Sequence, residues 1–164
     1  MNLYLSNHSP IHSTFTGNDG QALYKVDTPM KVFGRTSTIT RAVSEELLNL
    51  EDGVDMRDRF EFLAQIEYKA FASSIIKFED TRVETRAYFQ KEGWGPYGRP
   101  HAFTGPDGKR YKWFMNFFTS ELILNDGSKT PVAQFHRRRV GILRKSQPAY
   151  LEIFPPGKRI VDTI

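Results

Sequence analysis

The stretch Phe103-Thr104-Gly105-Pro106-Asp107-Gly108-Lys109-Arg110-Tyr111-Lys112-Trp113 joins a hairpin turn to an aromatic strand. Proline presets φ for the first corner of a turn, aspartate bonds its own backbone, and glycine accepts the positive φ that closes a tight hairpin. Beyond the turn, Tyr111 and Trp113 fall on one side of a strand and Lys112 falls on the other. The segment therefore predicts a β-hairpin whose second strand is central and largely buried.

Turns of the same chemistry recur along the chain. Asn18-Asp19-Gly20 and Asn125-Asp126-Gly127 are both strong hairpin signals. Short apolar or alternating runs, such as Phe60 to Lys69, lie between the turns, and this spacing is typical of an antiparallel all-β domain. We predict one mainly β domain over residues 1–164, with about ten to twelve strands and little helix.

Composition excludes several classes of protein. With 39% hydrophobic and 26% charged residues, the 164-residue chain is typical of globular proteins rather than disordered or membrane-embedded ones. The absence of cysteine excludes disulfides and thiolate zinc sites. The first residues lack the pattern of a secretory signal, and no apolar run approaches the roughly 20 residues that span a bilayer. We therefore expect a cytosolic protein.

Charge is distributed unevenly along the chain. Residues 1–98 carry 11 Lys or Arg against 14 Asp or Glu, and residues 99–164 carry 12 against 5. This asymmetry indicates a basic face able to meet phosphates on lipid or nucleic acid. The alternative is that both halves interleave in one fold and their charges mix on its surface. An acidic connection is predicted around residues 44–59, where the alternation of strands fails.

The sequence contains no catalytic signature. His8, His12, His101 and His136 are scattered, and Pro10 argues against a helix that would pair the first two, so neither a metal site nor a cofactor is predicted. The nucleophile elbow, the phosphate-binding loop and the dinucleotide fingerprint are all missing. An enzyme would require residues that converge only in space, for example His101 or His136 in a cleft with a carboxylate and a hydroxyl.

Basic residues form the polar cluster that points to binding. Arginine binds phosphate in a bidentate manner and lysine acts as a point charge, so such a set suits an anionic headgroup. The candidate anion- or lipid-binding residues are Arg137, Arg139, Arg144, Lys145, Lys109 and Arg110. Strand alternation points Arg138 away from its two neighbours. The alternative interpretation is a rim of cations that are solvated or paired with carboxylates.

Aromatic residues next to these cations resemble the stacking platforms that bind single-stranded nucleic acid. However, Trp113, Phe114, Phe117 and Phe118 form too dense an apolar set to remain in solvent, because exposed apolar patches of that size are rare. We therefore expect these rings in the core and do not favour a nucleic-acid partner.

Several short segments spread over nearly the whole chain together resemble those of a family of uncharacterised fungal domains. They are Leu23-Tyr24-Lys25-Val26-Asp27-Thr28-Pro29, Ala64-Gln65-Ile66-Glu67-Tyr68, Phe103 to Gly108 with Tyr111-Lys112-Trp113, Pro131-Val132-Ala133, Phe135-His136-Arg137 and Ile160-Val161-Asp162. That family resembles the tubby carboxy-terminal and LURP-one-related domains. The resemblance implies a closed antiparallel β-barrel around an apolar carboxy-terminal helix, and closure would remove exposed sheet edges.

The sequence ends at Ile164, where such a helix would be expected to continue. The barrel would therefore be plugged by this segment, open to a ligand, or completed by another chain. Tubby-like domains bind phosphoinositides through basic surface residues, and LURP-one relatives are linked to membranes and defence. No lipid motif carries over residue by residue.

The first hypothesis is a non-enzymatic cytosolic domain that binds anionic phospholipid or a protein partner through its basic face. The second is a carrier of an apolar small molecule in the barrel lumen, and the third is an enzyme with a spatially assembled site.

Overall fold

A computed structural model describes residues 1–30, 34–43, 59–78, 81–95, 97–116, 119–139 and 147–164. The strands are β1 (Asn2–Leu5), β2 (Ser13–Thr16), β3 (Ala22–Asp27), β4 (Thr36–Ala42), β5 (Phe60–Glu67), β6 (Ile75–Phe78), β7 (Thr81–Glu84), β8 (Gln90–Lys91), β9 (His101–Thr104), β10 (Arg110–Met115), β11 (Thr119–Leu124), β12 (Pro131–His136) and β13 (Tyr150–Ile153). A short helix α1 (Thr85–Tyr88) joins β7 to β8, and 3₁₀-helices cover Pro10–His12 and Pro155–Thr163.

All thirteen strands belong to one antiparallel sheet in the order β7-β6-β5-β4-β3-β2-β1-β13-β12-β11-β10-β9-β8. The first and last strands in the chain are neighbours at its centre, with Leu3 paired to Leu151. From β1 the chain runs through neighbouring strands in sequence order to β7 at one edge of the sheet. Strands β8 to β13 form the other half, with β8 at the opposite edge. The acidic connection predicted at residues 44–59 lies outside the described residues except for Arg59.

The mainly β, antiparallel character agrees with the sequence analysis, but the prediction of a closed barrel is wrong. The two edge strands, β7 and β8, are not paired with each other. Because thirteen strands alternate in direction, the two edges run parallel, and an entirely antiparallel ladder cannot close with an odd number of strands. Helix α1 carries the chain from one edge to the other in place of a ladder.

The open sheet is strongly curled. The route through the sheet from β6 to β9 crosses ten strand spacings, which is about 48 Å if the sheet is flat. Yet the Tyr88 ring on α1 lies 5.8 Å from the Phe78 ring on β6 and 5.8 Å from the Phe103 ring on β9. The two margins therefore approach each other and share an aromatic contact.

Alternating strand direction sorts the connections into two ends of the sheet. At one end, called here the Asp–Gly end, lie the three turns predicted from sequence, and each has a glycine with positive φ. In each turn an aspartate carboxylate accepts the N–H two residues later: Asp19 from Gln21, Asp107 from Lys109 and Asp126 from Ser128. The other end, called the arginine end, has the connections that follow β1, β3, β5, β8, β10 and β12.

The core lies on the concave face of the sheet. Its buried residues are Leu3, Phe103, Tyr111, Leu122, Val132, Ala133, Ile153 and Ile160. Ile160 comes from the 3₁₀-helix Pro155–Thr163, where the resemblance implies an apolar carboxy-terminal helix. Gly157 permits the close approach of this helix, because a Cβ there would lie 2.4 Å from the Val132 carbonyl oxygen. The last segment therefore covers part of the concave face.

The Gly-Pro-Asp-Gly turn and Tyr111 form one packed unit. Tyr111 is 1% exposed, which confirms its predicted inward orientation, and its ring stacks on Phe103 with centroids 5.5 Å apart. A Cβ on Gly105 would lie 2.7 Å from the Tyr111 ring, so glycine leaves room for the aromatic side chain. The Tyr111 hydroxyl donates to Asp107 Oδ2 at 2.7 Å. The most specific segment of the sequence thus joins a turn to the core.

Burial and the hydrogen bond to Asp107 raise the pKa of Tyr111 to about 12. Folding therefore favours the protonated phenol, and this contribution to stability is complete below the unfolded pKa of about 10. We predict that it is lost progressively as the pH rises from about 10 towards the folded pKa of about 12.

The measurement is the free energy of unfolding in urea across this alkaline range. Tyr111→Phe should flatten the decline, whereas Tyr97→Phe, at an exposed position, should leave it unchanged. An identical decline in Tyr111→Phe and the unaltered protein would contradict the prediction.

Candidate functional site

Three consecutive arginines follow β12 at the arginine end. Arg137, Arg138 and Arg139 are all exposed. The backbone groups of Arg139 and Gln147 exchange two hydrogen bonds of 3.2 Å, so the two sides of the β12–β13 connection remain paired beyond the strands. Arg138 Nη1 lies 2.8 Å from His8 Nε2. The Arg139–Gln147 hydrogen bonds fix the backbone from which the arginine side chains extend.

Most cations on the strands and on α1 have carboxylate partners, but Arg137 and Arg138 differ. The paired cations are Arg41 with Glu61 and Asp162, Lys77 and Arg82 with Glu67, Arg86 with Glu84, and Arg110 and Lys112 with Glu92. Within the described part of the chain, neither Arg137 nor Arg138 forms an ion pair with a carboxylate. Arg138 contacts His8, but no described carboxylate neutralises either guanidinium, so both can attract an external anion.

The structure divides the basic cluster that the sequence analysis treats as one set. Lys109 and Arg110 lie at the Asp–Gly end, whereas Arg137 and Arg139 lie at the arginine end. The six residues of β12 separate these ends by roughly 20 Å. Arg144 and Lys145 lie outside the described residues. The four described candidates therefore lie at two opposite ends of the sheet.

Arg110 is occupied by a local network at the Asp–Gly end. It donates to Glu92 Oε1 and, at 3.0 Å, to Gln90 Oε1. Hydrogen bonds from Lys112 and Asn125 lower the pKa of Glu92, and Lys112 Nζ lies 3.2 Å from Glu92 Oε2. The Glu92 carboxylate therefore pairs with both Arg110 and Lys112. For Arg110 and Lys112, the carboxylate-paired rim considered in the sequence analysis describes the structure better than an open anion site.

Cations accumulate in the connections of the arginine end. Besides the three arginines after β12, the described residues there include Arg35 after β3, Lys69 after β5 and Arg99 after β8. The predicted acidic connection is attached to β4 and β5, whose Ala42–Phe60 pair lies towards the Asp–Gly end. The sequence halves form lateral halves of the sheet, with β1–β7 on one side and β9–β13 on the other, and the cations of residues 99–164 lie at both ends.

The two histidines named for a possible catalytic site lie apart from the cavities described below. His136 Nε2 is 3.0 Å from Glu152 Oε2, and the His136 ring stacks on Tyr150 with centroids 4.3 Å apart. His101 Nδ1 is buried and has no hydrogen-bond partner among the described residues. The His136–Glu152 pair orients the imidazole on the sheet surface.

Two of the cavities formed by described residues bear on the candidate site. The larger, about 440 Å³, lies where the two margins of the sheet meet and is lined by Val83, Ala87, Tyr88, Gln90, Phe103, Thr104 and Arg110. The smaller, about 290 Å³, is a shallow depression at the arginine end between the β1–β2 connection and β3, with His12 and Asp27 in its wall. Tyr88 and Phe103 give the larger cavity aromatic walls, and its cationic residue, Arg110, is already paired with Glu92.

Sequence reasoning missed a polar network on the concave face. Tyr24 donates to Asp162 Oδ1 at 2.6 Å, and Arg41 bonds both Asp162 Oδ2 and Glu61. Burial and the Asp162 hydrogen bond raise the pKa of Tyr24. Arg41 lies two residues after Ile39 and therefore on the same, inward side of β4. This spacing is the only sequence signal for the arrangement. The network ties the carboxy-terminal 3₁₀-helix to β3, β4 and β5.

Two further features concern the described part of the chain only. There, no group of three or more His, Asp or Glu side chains is arranged to hold a metal ion. No helix within the described ranges is long and apolar enough to cross a membrane.

Comparison with known proteins assigns the chain to a family. The sequence profile described as "Family of unknown function (DUF6593)" matches residues 8–164, so the chain belongs to this family. No curated protein and no solved structure gives a significant match. The family match supports the expectation of an uncharacterised domain family. It does not bear on the tubby-like or LURP-one-related resemblance or on a fungal origin.

We predict that Asp162→Asn detaches the carboxy-terminal 3₁₀-helix from the sheet, because the neutral amide loses the charge-assisted bond with Arg41. The expected loss is about 1–3 kcal/mol in the free energy of unfolding. Faster amide exchange at Ile160 and Val161 should accompany it. The surface change Lys158→Gln on the same helix is the matched control. Unchanged exchange at both residues would show that the network does not hold the helix.

Proposed function

We propose that this protein is a non-enzymatic domain that binds anionic phospholipid through its arginine end. The observation that carries the proposal is the exposed row Arg137–Arg139, of which Arg137 and Arg138 lack a carboxylate partner among the described residues. Guanidinium groups donate two parallel hydrogen bonds to a phosphate, and each basic residue near an anionic membrane contributes roughly 1 kcal/mol.

The distribution of charge over the sheet supports the same ligand. An anionic surface attracts the arginine end, with Arg35, Lys69 and Arg99 beside the arginine row. The carboxylates of the Asp–Gly turns lie at the opposite end. Lys109 and Lys129 accompany these carboxylates, so the arginine end has the larger excess of positive charge, and long-range electrostatics steer it towards an anionic surface. The resemblance to tubby-like domains, which bind phosphoinositides, points to the same class of ligand and stays a prediction.

The test is flotation with phosphatidylcholine vesicles, alone and with added phosphatidylserine or a phosphatidylinositol phosphate. We expect recovery only with anionic lipid, decreasing as salt is added because surface charges are screened. The double variant Arg137→Glu and Arg139→Glu should lose roughly thirtyfold or more in affinity.

The double variant Lys109→Glu and Lys158→Glu is the matched control, because it makes the same change of charge on exposed residues away from the arginine end. It should retain most of the binding. Equal losses in both variants would show that only net charge matters. Equal recovery of the unaltered protein with neutral and anionic vesicles would contradict lipid binding through the arginine end.

The cavity at the sheet margins favours a second candidate function, the carriage of an apolar small molecule. Tyr88 and Phe103 line it beside the polar Gln90, Thr104 and Arg110, and its volume of about 440 Å³ falls within the range of small-molecule sites. This proposal places the ligand between the two margins, since the sheet has no closed lumen. Native mass spectrometry of freshly purified protein should then show an additional mass that Ala87→Trp removes. A bare mass in every preparation would contradict it.

A further inference from the structure

The exposed large apolar side chains of the described residues are concentrated at the arginine end. They are Met30 in the β3–β4 connection, Phe71 in the β5–β6 connection, Trp94 and Tyr97 in the β8–β9 connection, and Met115 at the end of β10. Only Met1 and Phe62 in that class lie elsewhere. Trp94 is 83% exposed, and Met30 and Phe71 are completely exposed.

The Asp–Gly end provides an internal comparison. Its three described hairpin turns carry aspartate, glycine and other polar residues, with no exposed large apolar side chain. Connections of a soluble protein are normally polar, and exposed rings gain nothing from water. The contrast between two ends of one sheet therefore indicates that the apolar side chains at the arginine end contact the surface of a binding partner.

Their arrangement fits a broad surface better than a pocket. The connections after β3 and β10 are separated by six strand spacings, or roughly 29 Å along the curled sheet. Cations alternate with the apolar side chains in this arrangement: Arg35 shares a connection with Met30, Lys69 with Phe71 and Arg99 with Trp94. Tryptophan and tyrosine prefer the headgroup level of a bilayer, where the ring is buried and its polar atom stays hydrated.

We propose that the arginine end docks end-on to an anionic bilayer and inserts Met30, Phe71, Trp94 and Tyr97 into the interface between headgroups and acyl chains. This inference rests on the proposed function and adds an apolar component to it. The arginines and lysines contact the phosphates, while the apolar side chains enter below them. Both components then contribute, so added salt weakens binding without abolishing it.

Tryptophan fluorescence tests the insertion directly, because the chain has two tryptophans and Trp113 is partly buried against the core. The full-length variant Trp113→Phe leaves Trp94 as the single reporter. With vesicles containing phosphatidylserine, we expect its emission to shift to shorter wavelength and to be quenched by brominated acyl chains. Circular dichroism verifies that the variant is folded.

Matched phenylalanine variants test the energetic contribution. Phe71→Ser removes an exposed ring at the arginine end, and Phe62→Ser removes an exposed ring in the middle of β5. Burial of one such ring in the interface should strengthen vesicle binding roughly tenfold. Phe71→Ser should therefore lose about that factor, and Phe62→Ser should lose none.

The outcomes separate this inference from the proposed function. The protein could float with anionic vesicles while the Trp94 emission is neither shifted nor quenched. That result would leave the electrostatic binding intact and overturn the insertion. Equal affinities for Phe71→Ser and Phe62→Ser would overturn it as well. No flotation with any anionic vesicle would overturn both proposals and assign the arginine end to a protein partner.

Discussion

Strict antiparallel pairing of every neighbouring strand is the constraint on which the rest of this structure depends. Because thirteen strands alternate in direction, the two edge strands run parallel and the ladder cannot close. The same alternation sends successive connections to opposite ends of the sheet. The sheet curls far enough for the Tyr88 ring to contact both margins, and its concave face is covered in part by the 3₁₀-helix at the carboxy terminus. The open margin and the two ends are consequences of strand direction.

Each end has its own chemistry. At the Asp–Gly end, the turn carboxylates are satisfied by nearby backbone N–H groups, and Arg110 and Lys112 of β10 share Glu92, which follows β8. At the arginine end, exposed guanidinium groups lie among exposed rings. Polar groups that are satisfied internally gain little from a partner, whereas exposed cations and rings gain from an anionic, partly apolar surface. This difference makes the arginine end the better candidate for recognition.

The accuracy of the sequence analysis depended on the range of the interactions involved. The three Asp–Gly turns and the burial of Tyr111 were predicted correctly, because each depends on residues close in the chain or on simple alternation. Closure of the barrel was predicted from the resemblance and was wrong, since it depends on how many strands form and on the direction of the two edges. The basic candidates were grouped by charge, yet strand direction separates Lys109 from Arg137. Nothing local revealed that Asp162 would meet Tyr24 and Arg41, which lie more than 100 residues away.

The amino-acid sequence by itself determined the hairpin turns, the alternation of apolar residues along the strands and the exclusion of disulfides, because these follow from backbone preferences and composition. The tertiary structure alone decided which connections share an end, which cations find carboxylates and which rings remain outside the core. The physical reason is that these properties arise from the pairing order of strands distant in the chain, and no local pattern encodes that order.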